Sequence, residues 1–231
     1  SGTNLQSLLD ASGEDSFPAD IALVVSNRSD AYGLKRAEMA EVPTTFIPHK
    51  EYKDRASFDT ALAASLDDAG IEFVCLAGFM RILTEGFVER WTGRMLNIHP
   101  SLLPAFRGHN AHEQVLESSV AFSGCTVHAV TAELDGGPIV GQAVVPRHAD
   151  DTEETLSARV RTAEHQLYPL AVRAFLRGDG DLPPLPHLED TQFNLNPRVV
   201  YSRYPDPRPS RRPHPEEPPQ GGVSKDEASS G

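Results

Sequence analysis

The stretch that decides the fold is FVCLAGFMRILTEGFVERWTGRMLNIHP, Phe73 to Pro100. It opens on a continuous apolar run, FVCLA, and ends on another, RMLNI, with the short helical pattern GFVERW between them. Apolar runs without alternation belong to strands buried on both faces, and a strand–helix–strand unit joins such strands in parallel. The second run stops at Asn97 and His99, two polar side chains two residues apart, and Pro100 follows directly. A residue before proline is pushed toward extended backbone, and alternation along a strand puts Asn97 and His99 on the same side.

The same alternation extends in both directions. Upstream lie IALVVS (Ile21–Ser26) as a strand, LKRAEMAE as a helix closed by Pro43, TTFI (Thr44–Ile47) as a strand and SFDTALAASLDDAG as a helix stopped by Gly70. Downstream come NAHEQVLESS as a helix, GCTVHAV and PIVGQAVVP as strands, and DTEETLSARVRTAEHQLYPLAVRAFL as a long helix. The DGG turn between the last two strands points to one antiparallel pair. Asp151 with Glu154, and Thr3 with Gln6, have capping-box spacing. The pattern predicts an α/β, Rossmann-like fold, a mostly parallel sheet with helices on both faces. Ligands in such sheets bind beyond the carboxyl ends of strands, which directs attention to SNRSD, AGFMRIL, NIHPSLLP and TAELDGG.

At 231 residues the chain can bury one sizeable α/β core. Its formal net charge of −12 argues against nucleic acid or an anionic membrane as the main partner, because phosphate-rich surfaces need a basic face. A small anionic ligand remains compatible, since it answers to local donors. Cys75 and Cys125 sit in apolar runs and read as buried reduced thiols. No apolar run approaches the roughly 20 residues of a membrane span and no signal peptide is visible, so the expectation is a soluble cytoplasmic protein. From Pro205 the sequence is rich in Pro, Gly, Ser and charge. We therefore divide the chain into a folded domain, residues 1–185, and a Pro-rich tail, residues 186–231, expected to be largely disordered.

Asn97 and His99 gain a partner in Asp135 of LDGG, a carboxylate on a flexible turn at another predicted sheet end. Amide, imidazole and carboxylate together can supply an oxyanion donor, a proton source and a group that tunes that source. No G-x-S-x-G elbow is present, so covalent catalysis is not indicated. His109-x-x-His112 lacks a third ligand at matching spacing, and no metal is expected. Gly2, Thr3 and Asn4 lead into the helix NLQSLLD, whose N-terminal backbone N–H groups suit a phosphate.

SGTNLQSLLD, VVSNRSDAYGLKRAE, CLAGFMRIL, MLNIHPSLLP, NAHEQVLE, GCTVHAV, ELDGGPIV and RTAEHQLYP occur in that order. Together they resemble the glycinamide ribonucleotide transformylase family, most closely the animal form that is the last domain of a trifunctional polypeptide. The resemblance implies transfer of the formyl group of 10-formyltetrahydrofolate, as co-substrate, to the amine of glycinamide ribonucleotide in purine synthesis. It further implies that other purine-synthesis domains share a longer polypeptide. Catalysis would fall to Asn97 on the formyl oxygen, His99 as general acid, and Asp135 holding His99 protonated and relaying the amine's proton. Gly2, Thr3, Asn4, Arg161 and Glu164 would hold the ribonucleotide. Arg55, Met80, Arg81, Ile82, Leu83, Asn97 and the loop Thr131, Ala132, Glu133, Leu134 and Asp135 would line the folate cleft.

Other readings share the Asn-His-Asp set. A methionyl-tRNA formyltransferase would need a basic RNA-binding domain, and a formyltetrahydrofolate hydrolase would put water in place of the amine. A non-catalytic binding module is the reading from a different class. The family's first strand has no counterpart before Ser1, and TQFNLNPRVVYSRYPDPRP does not resemble its ending. Because that strand would be central, the expectation is that this piece alone is poorly stable and weakly active.

Overall fold

The apolar and amphipathic runs fold into elements in the expected order. The computed structural model describes residues 1–178 and 192–195. Helices are α1 (Thr3–Ser12), α2 (Tyr32–Met39), α3 (Arg55–Asp68), α4 (Glu85–Arg90), α5 (Ala111–Glu117) and α6 (Glu153–Arg177). Strands are β1 (Val24–Ser26), β2 (Thr44–Phe46), β3 (Val74–Leu76), β4 (Met95–His99), β5 (Phe122–Ala129), β6 (Ile139–Pro146) and β7 (Gln192–Leu195).

β1 pairs with β2 in parallel, and β3 pairs with β4 in parallel through Val74 opposite Met95 and Leu76 opposite Asn97. Antiparallel pairing then adds β5, β6 and β7 in the order β3-β4-β5-β6-β7, and β5 with β6 is the expected antiparallel pair. Among the described residues no pairing joins β1 to β3, so the sheet falls into a two-stranded and a five-stranded part.

β4 sorts its side chains between two cores. Leu96 and Ile98 pack into one core with Leu8 of α1, Val115 of α5 and Val160 and Leu167 of α6. Met95 packs into the other, with Phe58 and Leu62 of α3 and Phe87 and Val88 of α4. Strand alternation therefore gives Asn97 and His99 the side of Met95, at the carboxyl end of the strand. Each full apolar side chain buried in these cores contributes roughly 1.5–3 kcal/mol. Burial also pushes both thiols up, Cys75 to about 12.

Two local expectations, both about helix caps, are corrected. The N-cap of α1 is Gly2 in a left-handed conformation, with no side-chain cap, and Gln6 instead donates to Asp10. A Cβ on Gly2 would stand 2.8 Å from the Gly33 Cα, so close backbone approach rather than capping sets that residue. At α6 the reciprocal box is Thr152 with Thr155, while Asp151 accepts from the Arg159 guanidinium, whose two N–H groups match a carboxylate better than a cap position does. Within the expected tail, Gln192–Leu195 forms β7 on the edge beside β6, in keeping with the two-residue alternation of Gln-Phe-Asn-Leu. The remainder of that tail expectation lies outside the described residues. No helix among the described residues is long and apolar enough to cross a membrane.

Candidate active site

Pro100 ends β4, and the chain from Ser101 to Gly108 folds back over the strand end. Its anchors are polar groups of the neighbouring strands. The Thr126 hydroxyl donates to the Ser101 carbonyl at 2.7 Å and accepts from the Leu103 N–H at 3.0 Å, and Gln142 Nε2 donates to the Leu103 carbonyl at 2.9 Å. Phe106, with a φ of 57°, turns its carbonyl toward His99 Nε2 at 2.9 Å. The prolines thus serve a latched loop that reaches back to the imidazole.

Asp135 arrives from the other side. Gly137 must lie against β5, since a Cβ there would fall 1.8 Å from the Ala129 carbonyl oxygen. Asp135 itself takes a φ of 50°, a left-handed conformation that Asp tolerates better than most residues. Its Oδ2 stands 3.5 Å from His99 Nδ1 and accepts from the Gly108 N–H at 2.8 Å, while Oδ1 stands 3.6 Å from His128 Nε2. Burial alone would raise this carboxyl. The hydrogen bond from His128, the Gly108 N–H and the neighbouring histidines outweigh it and hold Asp135 at about 2.

Both nitrogens of His99 face acceptors, the Phe106 carbonyl and the Asp135 carboxylate. Only a doubly protonated ring donates at both. Asn97 is connected through His128, its Nδ2 lying 3.2 Å from His128 Nε2. The three catalytic candidates therefore meet, with His128 as a fourth member that sequence reading passed over. His128 lies inside GCTVHAV, where it reads as one polar residue in a core strand. Its parity is uninformative until the β4–β5 register puts it directly opposite Asn97.

The ribonucleotide candidates form a second group. Asn4 on α1 donates from Nδ2 to Glu164 Oε2 on α6 at 3.0 Å, across 160 residues of sequence. Glu164 is buried, and burial raises its carboxyl against the opposing effects of Asn4 and Arg161. Arg161 is exposed one turn before it. Arg36 of α2, not singled out in the sequence, donates to the Ser1 carbonyl and to Gln6 at the start of α1. Burial lowers His112 and His165, and Arg161 adds to the lowering of both, so positive charge gathers beside Glu164. His99 is also felt by His112. These basic groups cluster only once α2, α5 and α6 converge.

The folate candidates divide. The Arg81 guanidinium stacks 5.1 Å from the Phe58 ring, and its Nε is buried without a partner. Asp59 Oδ2 accepts from the Thr84 N–H at 2.6 Å, which pins the 78–84 loop onto α3. Met80, Ile82 and Leu134 are 70%, 52% and 52% exposed, apolar groups left open to a ligand. Leu83 instead packs against the core under α3. Arg55 is exposed at the first turn of α3 and makes no side-chain hydrogen bond or ion pair among the described residues. In the Thr131–Asp135 loop, Thr131 donates to the Glu133 carbonyl, Glu133 pairs with Arg107, and Ala132 is exposed. A separate open cavity of about 580 Å³ lies between β1–β2 and α3, lined by Leu23, Thr45, Ile47 and Tyr52 among others, and contains none of these residues. No three His, Cys, Asp or Glu side chains converge as a metal site among the described residues.

A Rossmann-like sheet whose strand ends carry an amide, two imidazoles and a carboxylate defines a class of group-transfer protein, and comparison gives that class its name. The formyl transferase family profile matches residues 1–172, and the chain belongs to that family. Within it, the chain is 43% identical to the phosphoribosylglycinamide formyltransferase of Haemophilus influenzae, over 77% of this chain and 84% of that protein. It is 52% identical to the trifunctional purine biosynthetic protein adenosine-3 of Bos taurus over 77% of this chain, but spans only 18% of that longer protein. Among solved structures it is similar to glycinamide ribonucleotide transformylase 1 from Symbiobacterium toebii. That similarity has a TM-score of 0.76 and 46% identity, and covers 80% of this chain and 87% of the other.

Proposed function

We propose that this chain transfers the formyl group of 10-formyltetrahydrofolate to the amine of glycinamide ribonucleotide, a step of purine synthesis carried out in the cytoplasm. The observation that carries the reading is Asp135 standing between His99 and His128, with Asn97 on His128, at the carboxyl end of β4. Its support from relatives is the similarity to phosphoribosylglycinamide formyltransferases over most of their length.

In this reading the amine attacks the formyl carbon, and the carbonyl electrons move onto oxygen. The N–H of Asn97 that is not directed at His128 meets that oxyanion. His99 Nε2 is committed to the Phe106 carbonyl, so Nδ1, shared with Asp135, delivers the proton to the departing folate nitrogen. Asp135, held at about 2, is too weak a base to relay the amine's proton near neutral pH. Its part is to stabilise the imidazolium, and the amine's proton leaves to solvent. Gly2, Thr3 and the α1 N-terminus, with Arg36 and Arg161, receive the phosphate, and Asn4 with Glu164 the ribose end. Arg55 and Arg81 serve the folate carboxylates, and Met80, Ile82 and the Thr131–Asp135 loop serve its ring system. The animal relatives imply that the chain works beside other purine-synthesis domains.

The test is formyl transfer followed with and without glycinamide ribonucleotide, in the chain and in His99→Ala. General acid–base assistance is worth roughly 10²–10⁴-fold, so the variant should lose about that much turnover. Formyl release that does not depend on the amine acceptor would make the protein a hydrolase and overturn the reading.

A further inference from the structure

Resting on the transfer reading above, we infer that Asp59 is a positioning residue for the folate: through the Thr84 N–H it fixes the loop, residues 78–83, on which the ring system docks. That loop leaves β3 at its carboxyl end and runs to α4. Among the described residues, no hydrogen bond reaches the backbone of residues 78–83. Its peptide groups are left to water or to a ligand. Phe79 and Leu83 pack against the core that holds Phe58, while Met80 and Ile82 are 70% and 52% exposed. Apolar anchors set how deep a loop sits, but they are non-directional and leave the orientation of its peptides open.

Asp59 supplies the direction. It stands on α3, is 3% exposed, and its Oδ2 accepts from the Thr84 N–H at 2.6 Å. Oδ1 is buried and has no partner among the described residues. One hydrogen bond offsets little of the cost of burying an acidic group, so stability accounts poorly for this side chain. Its effect on geometry is definite. The Leu83–Thr84 peptide is trans, so an N–H held on α3 turns the Leu83 carbonyl to the opposite side. The preceding residue of α3, Phe58, carries the Arg81 guanidinium 5.1 Å from its ring. Consecutive residues of one helix thus hold the loop in its middle and at its end, with Met80 and Ile82 left open to solvent. Asp59 acts through that backbone and touches no substrate atom.

The test compares Asp59→Ala, which deletes the bond, with Asp59→Asn, which keeps an acceptor oxygen for Thr84, each checked for a native melt. Thr84→Pro deletes the same bond from the donor side, at a φ of −71° that proline adopts. Asp59→Ala and Thr84→Pro should each raise KM for the folate about tenfold, within the roughly 10²-fold that a misplacement of about 1 Å can cost. KM for glycinamide ribonucleotide should stay within about twofold. Asp59→Asn should recover most of the loss. The double variant Asp59→Ala/Thr84→Pro should be no worse than the poorer single variant, since both changes remove one bond. Unchanged folate KM, equal rises in both KM values, an Asn variant no better than Ala, or losses that multiply in the double variant would each overturn the inference. Amide hydrogen exchange without substrate separates this outcome from the transfer reading. The Thr84 N–H should be protected in the parent and in Asp59→Asn and exchange faster in Asp59→Ala, and equal exchange would refute the pinning whatever the activity. A parent chain that shows the protection but neither binds nor uses the folate would overturn the transfer reading, and this role with it.

Discussion

Replacing Asp135 by Asn removes the charge and nearly preserves the shape, so it isolates what the carboxylate does. The structure holds Asp135 at about 2 against an ordinary 3.8, with the side chain 8% exposed. Each tenfold change in proton affinity is worth about 1.4 kcal/mol, so the ionised form is favoured in the folded state by about 2 kcal/mol. The sign follows from the depressed value. The stability is complete above the unfolded carboxyl's titration near 3.8 and disappears as pH falls through about 2. Urea unfolding should therefore show Asp135→Asn less stable than the parent by about 2 kcal/mol near about pH 5, narrowing to about 1 kcal/mol near about pH 3. Turnover should fall as well, by part of the roughly 10²–10⁴-fold that acid–base assistance supplies, since His99 loses its counter-charge. A stability difference that is absent near pH 5, or that widens on acidification, would refute the electrostatic account of this residue.

Glu164→Gln keeps an acceptor for Asn4 but removes the charge beside Arg161, and should raise KM for glycinamide ribonucleotide several-fold while leaving KM for the folate unchanged. Steady-state kinetics with each substrate varied in turn would decide it. Tyr168→Phe strips a fully buried hydroxyl that reaches the Leu76 and Leu96 carbonyls at 2.9 and 3.2 Å, and should cost about 1–3 kcal/mol in urea or thermal unfolding. Gly137→Ala drives a Cβ into the Ala129 carbonyl, so the loop carrying Asp135 must shift, and kcat should fall at least about tenfold, because misplaced groups cost that much.

The order of elements was legible because apolar runs and helical periodicity are local properties. β3, α4 and β4 fall where FVCLA, GFVERW and RMLNI place them. Asn97 and His99 were legible for the same reason, since a strand's alternation and a following proline act over three residues. His128 was not, because its relation to Asn97 is a matter of register between strands 31 residues apart. The Arg36 contact with α1 is likewise set by how α2 packs, which no spacing in the sequence encodes. The two misread caps failed differently. Thr3 and Asp151 have capping chemistry, but a backbone approach at Gly2 and an arginine partner at Arg159 compete for those positions and prevail.

α6 presents Glu164 to Asn4 of α1 and, four residues on, Tyr168 to the carbonyls of Leu76, at the end of β3, and of Leu96, inside β4. Those two side chains stand about 6 Å apart along one helix axis. The helix is in effect a gauge block between the proposed acceptor's seat and the strands that carry the proposed catalytic groups. Reshaping the acceptor end to admit a longer or shorter amine by moving α6 would misalign the strand tips by a comparable distance. New acceptor specificity is therefore better sought by changing side chains on a stationary α6 than by inserting or deleting residues within it.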